Sequence, residues 1–348
     1  MTTAMSKHRL KNTTARRKHC PNYGLCFCTF VAAILWAFVI YEIRCTLIAP
    51  EFMEVLRRIV FVGWFLLCAC QQLICLLTTS SPRKARPLTR FDKFVKAVAL
   101  VRAENISQTQ KSVKTIVIVG WAAIAMNIII VMTAFYAPND AVRRSSREIF
   151  FGNSNWTNQV SYIFTSGVHI LVNGNWIFPM CFYVTLCQVV AGRFDEIFAR
   201  AASAISKKKS LNLASLRREY AQLCHVVSAL DDILSPLGVF TFAIYIPLVC
   251  LNINVCIHTF EHDSIINRIA YTCWISCNIT ILLICTIAAA RVNNSVYRLS
   301  EVLYDININY LDSKSELELM LLLSNINSNY TGLTVGGLVT ITKGMILT

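Results

Sequence analysis

Six stretches of this chain run for about twenty residues or more with almost no charge, and nothing else in it constrains the fold as tightly. They are Tyr23 to Tyr41, Ile59 to Thr78, Ile116 to Tyr136, Ser161 to Ala191, Ser235 to Ile257 and Ile269 to Ala290. In hydrocarbon every backbone N–H and C=O must be paired within the protein, so a stretch of this length crosses a bilayer as an α-helix. The prediction is an all-α integral membrane protein with six complete transmembrane helices. Charged residues make up only 15% of the chain, well under the roughly 25% of a soluble domain.

A basic stretch precedes the first window, as in a secretory leader. That window is as long as a full span and no small-residue cleavage site follows Tyr41, so it reads as a transmembrane helix. With the N-terminus in the cytoplasm, most of the 33 Lys and Arg fall on the cytoplasmic side. Lys7, Arg9, Lys11, Arg16, Arg17 and Lys18 lie in the tail, dense basic runs lie from Arg83 to Lys114 and from Arg193 to Arg218, and Arg291, Arg298, Lys314 and Lys343 follow span 6. The positive-inside rule therefore predicts a multi-pass protein with its N-terminus inside, and the plasma membrane is its expected location. The same distribution reads the net charge of +14 as topology and contact with anionic membrane lipids, not with nucleic acid.

The sequon Asn155-Trp156-Thr157 lies between spans 3 and 4, on the side that the charges place outside, and makes Asn155 the candidate glycosylation site. Most of the 15 cysteines lie within the windows, where cysteine behaves as a small hydrophobe, and no His and Cys cluster has zinc spacing in a loop. No metal site and no cofactor are expected. No phosphate-binding loop, GxSxG or HExxH is present, and the cores of the windows hold no acidic residue, which argues against an enzyme and against an ion-coupled pump.

The chain divides into a basic tail at 1–22, a membrane domain at 23–290 that includes a cytoplasmic helix at about 194–234, cytoplasmic anchor helices at 291–330, and the start of a split seventh segment at 331–348. Leu216, Tyr220, Leu223, Val227, Leu230 and Leu234 recur at alternating steps of four and three, one face of a helix that Ser215 can cap. Val296, Leu299, Leu303, Ile306 and Tyr310 repeat the pattern after span 6, and "SELELMLLLSNI" reads as a further helix. Such stripes need partners, and an intracellular helical bundle, within one subunit or shared between subunits, supplies them. The closing stretch from Thr331 to Thr348 is apolar, but Gly332, Gly336, Gly337, Gly344 and Lys343 make it a poor spanning helix.

Within the membrane, Tyr162, Ser166, His169, Asn173 and Trp176 of span 4 fall on one helix face. Span 5 carries Tyr245 and Asn252 seven residues apart, and span 6 carries Tyr271, Trp274 and Asn278. Polar groups facing lipid are costly, so these faces look onto protein or a cavity. Each could be interhelical glue; together, in the outer halves of three helices, they form a candidate site for a small neutral ligand held by stacking and a few hydrogen bonds.

The chain resembles the insect gustatory receptor family over most of its length, with the specific features in the C-terminal third. The resemblance rests on the spaced leucines from Leu211 to Leu234, on "AAARVNNSVYRLSEVLY" after span 6, on "SKSELELMLLLSNI", and on "LTVGGLVTITKGMIL". It implies a seven-transmembrane, ligand-gated, non-selective cation channel that detects a small-molecule tastant, assembled as a homo- or hetero-tetramer around one pore. In that family the glycine-rich stretch is the first half of the split seventh segment, and a pore-lining helix with Thr-Tyr and Gln-Phe signatures follows it. Neither occurs before Thr348, so the chain is expected to be C-terminally incomplete. An odorant receptor of the same architecture is the nearest alternative, and a small-molecule transporter is an alternative of a different class.

Overall fold

A computed structural model describes residues 23–49, 52–79, 89–100, 106–135, 159–207, 211–259, 265–306, 311–328 and 331–347. Eight helices of two turns or more lie among them: α1 (Tyr23–Ile48), α2 (Phe52–Thr79), α3 (Arg90–Leu100), α4 (Ile106–Phe135), α5 (Gln159–Ser206), α6 (Leu213–Thr259), α7 (Ile265–Leu303) and α8 (Ser313–Ser328). Six of them, α1, α2, α4, α5, α6 and α7, are long and apolar enough to cross a membrane. They contain the six predicted windows or nearly so, and most run well past them. Large apolar side chains such as Phe30, Leu47, Ile118 and Ile129 stand exposed on α1 and α4. A membrane solvates that surface at no cost, whereas water would not.

Successive spans alternate in direction, so α3, α8 and the junction between α5 and α6 gather at one end of the bundle, the end richest in Lys and Arg. We term this the basic end. Here α5, α6 and α7 continue beyond the bundle, and the predicted stripe Leu216, Tyr220, Leu223, Val227, Leu230 and Leu234 is buried along its whole length. It packs with Phe194 and Ile197 of α5, Val296, Leu299 and Leu303 of α7, and Leu319, Leu322 and Ile326 of α8 in the main core. Ion pairs lace its surface: Arg217 holds Glu318 at 2.6 Å, and Asp195 faces Arg291 at 3.1 Å and Arg298 at 3.6 Å. Arg217 keeps the Glu318 carboxyl below the usual carboxylate range. Tyr310 lies outside the described residues.

Local chemistry sets the helix ends and interruptions. Asn212, not Ser215, caps α6: its Oδ1 accepts the Ser215 backbone N–H at 2.9 Å. Thr89 caps α3 in the same way through the Asp92 N–H at 3.0 Å. Helix α3 had no counterpart in the sequence reading, although Phe91, Phe94 and Val98 give it an apolar face, and Phe94 is buried against the main core. Pro236 lies inside α6 without ending it. A proline leaves the carbonyl four residues earlier without its helical donor, and Arg90 of α3 supplies one, its Nη1 reaching the Asp232 carbonyl at 3.0 Å.

Residues 331–347 form a hairpin and a short helix. Strand β1 (Thr334–Val335) pairs antiparallel with β2 (Val339–Thr340), and α9 (Gly344–Leu347) follows. Gly336 and Gly337 take φ of 65° and 73°, the left-handed region that only glycine enters freely. The hairpin docks on the basic end. The Asp231 carboxylate of α6 accepts the Thr334 N–H at 2.7 Å and the Thr334 hydroxyl at 2.8 Å, while Leu333 and Ile341 enter the main core.

Candidate ligand cleft

Toward the other end of the bundle the helices part around a cleft lined by Val60, Phe61 and Trp64 of α2, Trp176 of α5, Leu248 and Asn252 of α6, and Trp274 and Asn278 of α7. As it stands the cleft is narrow, with a cavity volume of about 30 Å³. The aromatic rings meet edge to face, Trp64 with Trp176 at 6.1 Å and 89°, Phe61 with Trp274 at 6.0 Å and 86°, Tyr271 with Trp274 at 5.8 Å and 87°. This is the arrangement that ring quadrupoles favour.

A chain of amides braces these rings. The Trp274 indole N–H donates to Asn127 Oδ1 of α4 at 3.0 Å, the Asn127 amide N–H donates to Asn173 Oδ1, and the Asn173 amide N–H donates to the His169 carbonyl at 2.8 Å. Asn173 thus accepts across the gap from α4 and donates within its own helix, and the His169 ring lies against Trp64 and Phe65 at 6.1 and 6.3 Å. Tyr245 is fully buried beside Trp176 and Gln71.

Two amides face the cleft with capacity to spare. Asn252 donates to the Leu248 carbonyl at 2.8 Å, which fixes its orientation, and its Oδ1 has no partner. Asn278 Oδ1 is likewise buried and unpartnered. A buried acceptor left unpaired costs about 1–3 kcal/mol, and no described residue supplies a donor to either oxygen. Among the described residues, no charged side chain lines the cleft.

Of the residues singled out in the sequence, Trp176, Asn252, Trp274 and Asn278 line the cleft, while Tyr271, Asn173, His169 and Tyr245 lie behind its wall. The side chains of Tyr162 and Ser166, and the whole of Asn155, lie outside the described residues. Sequence reasoning missed the contribution of α2 and the Asn127 brace. A signal existed: Phe61, Trp64 and Gln71 repeat at i, i+3 and i+10, and Asn127 is the one carboxamide in the third window.

The ions nearest the ends of α1 and α2 form a separate cluster. Arg58 reaches Glu54 at 2.8 Å and Glu42 at 3.8 Å, and the Arg58 and Glu42 side chains are more than nine-tenths buried.

Fold and cleft together define a multi-pass, all-helical membrane protein with a cleft among its spans. The chain belongs to the 7tm chemosensory receptor family, whose model matches residues 3–348. The solved structure of the insect olfactory receptor OR5 from Machilis hrabei superposes with a TM-score of 0.69 at 9% identity, covering 95% of this chain and 87% of that one. The same receptor in complex with eugenol superposes at 0.65 and 10% identity, with the same coverage. At such identities the likeness is one of fold. None of the curated proteins compared with the chain matches it.

Proposed function

We propose that this chemosensory receptor is a gustatory receptor, a subunit of a ligand-gated, non-selective cation channel, and that the cleft takes a small, neutral, largely apolar tastant carrying a hydrogen-bond donor. The observation that carries the reading is the pair of unpartnered acceptors, Asn252 Oδ1 and Asn278 Oδ1, in a wall otherwise made of aromatic and aliphatic side chains. A hydroxyl or N–H of the ligand would satisfy them while its apolar body stacks on Trp64, Trp176 and Trp274. The gustatory rather than olfactory reading is supported by the "TVGG" stretch and by the resemblance of the segments around it.

In this reading the basic end faces the cytoplasm. Helix α7 links the two ends: it carries Trp274 and Asn278 at the cleft and Asn293, about 22 Å further along, against the hairpin. A ligand with higher affinity for one position of α7 shifts the population toward it, and the hairpin moves with it. Three of the rings at issue are tryptophans, so binding is readable by fluorescence titration of the purified chain with a panel of bitter, sweet and volatile compounds. Trp274→Ala or Asn278→Leu is expected to weaken binding of the best ligand about tenfold, the worth of one hydrogen bond or stacking contact. Ligand-evoked currents in expressing cells, compared between non-volatile tastants and volatile odorants, separate taste from smell. Unchanged affinity in both variants would mean that the ligand binds elsewhere.

Assembly is part of the proposal. On α8, Leu317, Met320 and Leu321 lie on one face and are 58%, 53% and 42% exposed. Helix α8 lies beyond the membrane-spanning helices, where such a face needs a partner, and a second copy of the chain, or a related subunit, would supply one. Met320→Glu is expected to shift the detergent-solubilised protein from tetramer to monomer in light scattering. A monomeric wild type would contradict the assembly.

A further inference from the structure

A second cavity lies outside the cleft, on the flank of the bundle. Helices α4 and α7 barely touch, and α5 floors the gap between them. Gly120 lets α4 press onto α5, for a Cβ there would come within 2.7 Å of the Cys181 sulfur. The resulting groove runs past Thr115, Val119 and Ala123 on one wall, Val184 on the floor, and Thr280 and Ile284 on the other wall, with a cavity volume of about 330 Å³. Thr115 spends its hydroxyl on the Lys111 carbonyl of its own helix at 3.1 Å. Nothing charged lines the groove, so it suits a hydrocarbon chain.

Its mouth at the basic end is different. Lys111 lies one helical turn beyond Thr115 on the same face of α4, Lys114 flanks it, and both are exposed and form no ion pair with a described residue. On the opposite wall Arg291 lies two turns beyond Ile284, its guanidinium held by Gln188 at 2.8 Å and Asp195 at 3.1 Å. An apolar groove ending in three cations and one carboxylate matches one occupant: a phospholipid with an anionic head, its acyl chain in the groove and its head at Lys111 and Lys114. From this placement we infer that α4, α5 and α7 form a binding site for an anionic phospholipid of the leaflet at the basic end. The inference rests on the orientation proposed above, in which that leaflet is the anionic cytoplasmic one.

The test uses the full chain in vesicles of equal phosphatidylserine and phosphatidylcholine, extracted in mild detergent, with retained lipid counted by native mass spectrometry. The wild type is expected to keep one phosphatidylserine per chain in preference to phosphatidylcholine. Lys111→Gln with Lys114→Gln should lower that preference about fivefold per charge removed. Ala123→Trp should abolish retention of both lipids, and Thr280→Phe, from the opposite wall, should do the same in case the first variant does not fold. The water-soluble head group alone, glycerophosphoserine, should not compete. Equal retention of the two lipids, retention untouched by both groove variants, or a protein chain found in the groove would overturn the site. Ligand titration at the cleft would stand in each case, so the two readings fail separately.

Discussion

Replacing Arg58 by methionine is expected to destabilise the folded chain by about 3 kcal/mol, the effect of stripping the counter-charge from a buried carboxylate. Arg58 is buried between Glu42, itself buried, and the partly exposed Glu54. The loss would appear as a lower midpoint in thermal unfolding of the detergent-solubilised protein and as reduced surface level in cells. Adding Glu42→Gln to the same chain should recover much of the loss, because the neutral amide no longer needs the guanidinium. If the double variant is as unstable as the single one, Arg58 acts through packing alone and the ionic account is wrong.

The second large effect is expected at Gly332. A Cβ at this position would come within 2.7 Å of the Asn293 amide nitrogen and 2.8 Å of the Thr340 methyl. Gly332→Val must therefore turn the Asn293 and Thr340 side chains aside or lift the hairpin from its seat, and overpacking of this kind costs about 1–3 kcal/mol. Since the hairpin is held mainly by Asp231, Leu333 and Ile341, lifting is the cheaper response. Hydrogen exchange at the Thr334 and Ile341 amides should accelerate while exchange in α1 and α2 stays unchanged. Gly337→Ala is the control: its Cβ would meet nothing within 4 Å, and only the φ of 73° opposes it, a cost of about 1–2 kcal/mol. Slow exchange at both amides in Gly332→Val would show that the close approach is not what seats the hairpin.

The ionic cluster shows where reading spans by apolarity stops. The first window closes at Tyr41 and the second opens at Ile59, each one residue short of a charge, Glu42 and Arg58. The helices run on to Ile48 and back to Phe52, because the two charges neutralise one another across the pair. Each looks like a helix end when taken singly, and only the contact between α1 and α2 makes both tolerable within one. Helix α3 escaped for the opposite reason. Its run of charges hides a three-residue apolar face whose worth depends on the α6 surface it covers.

The ligand cleft divides in the same way. Periodicity and the cost of polar groups in hydrocarbon were enough to draw attention to Trp176, Asn252, Trp274 and Asn278, which line it. They could not separate these from Asn173 and His169, which share a face with Trp176 but are turned toward α4 and α2. The difference is the partner across the gap: Asn127 donates to Asn173, whereas no described residue reaches Asn252 Oδ1.

By itself the sequence determined the number of spans, the helical stripes at the basic end and the unfitness of the glycine-rich stretch for a membrane helix. Each follows from an interaction within a single segment, whether its own backbone hydrogen bonds, its own periodicity or its own backbone freedom. The tertiary structure alone decided which polar side chains are braces and which are open, that Arg90 serves the carbonyl freed by Pro236, and that the glycines form a hairpin seated on Asp231. Those outcomes depend on groups far apart in the chain meeting within hydrogen-bond distance, and no window of sequence contains both members of such a pair.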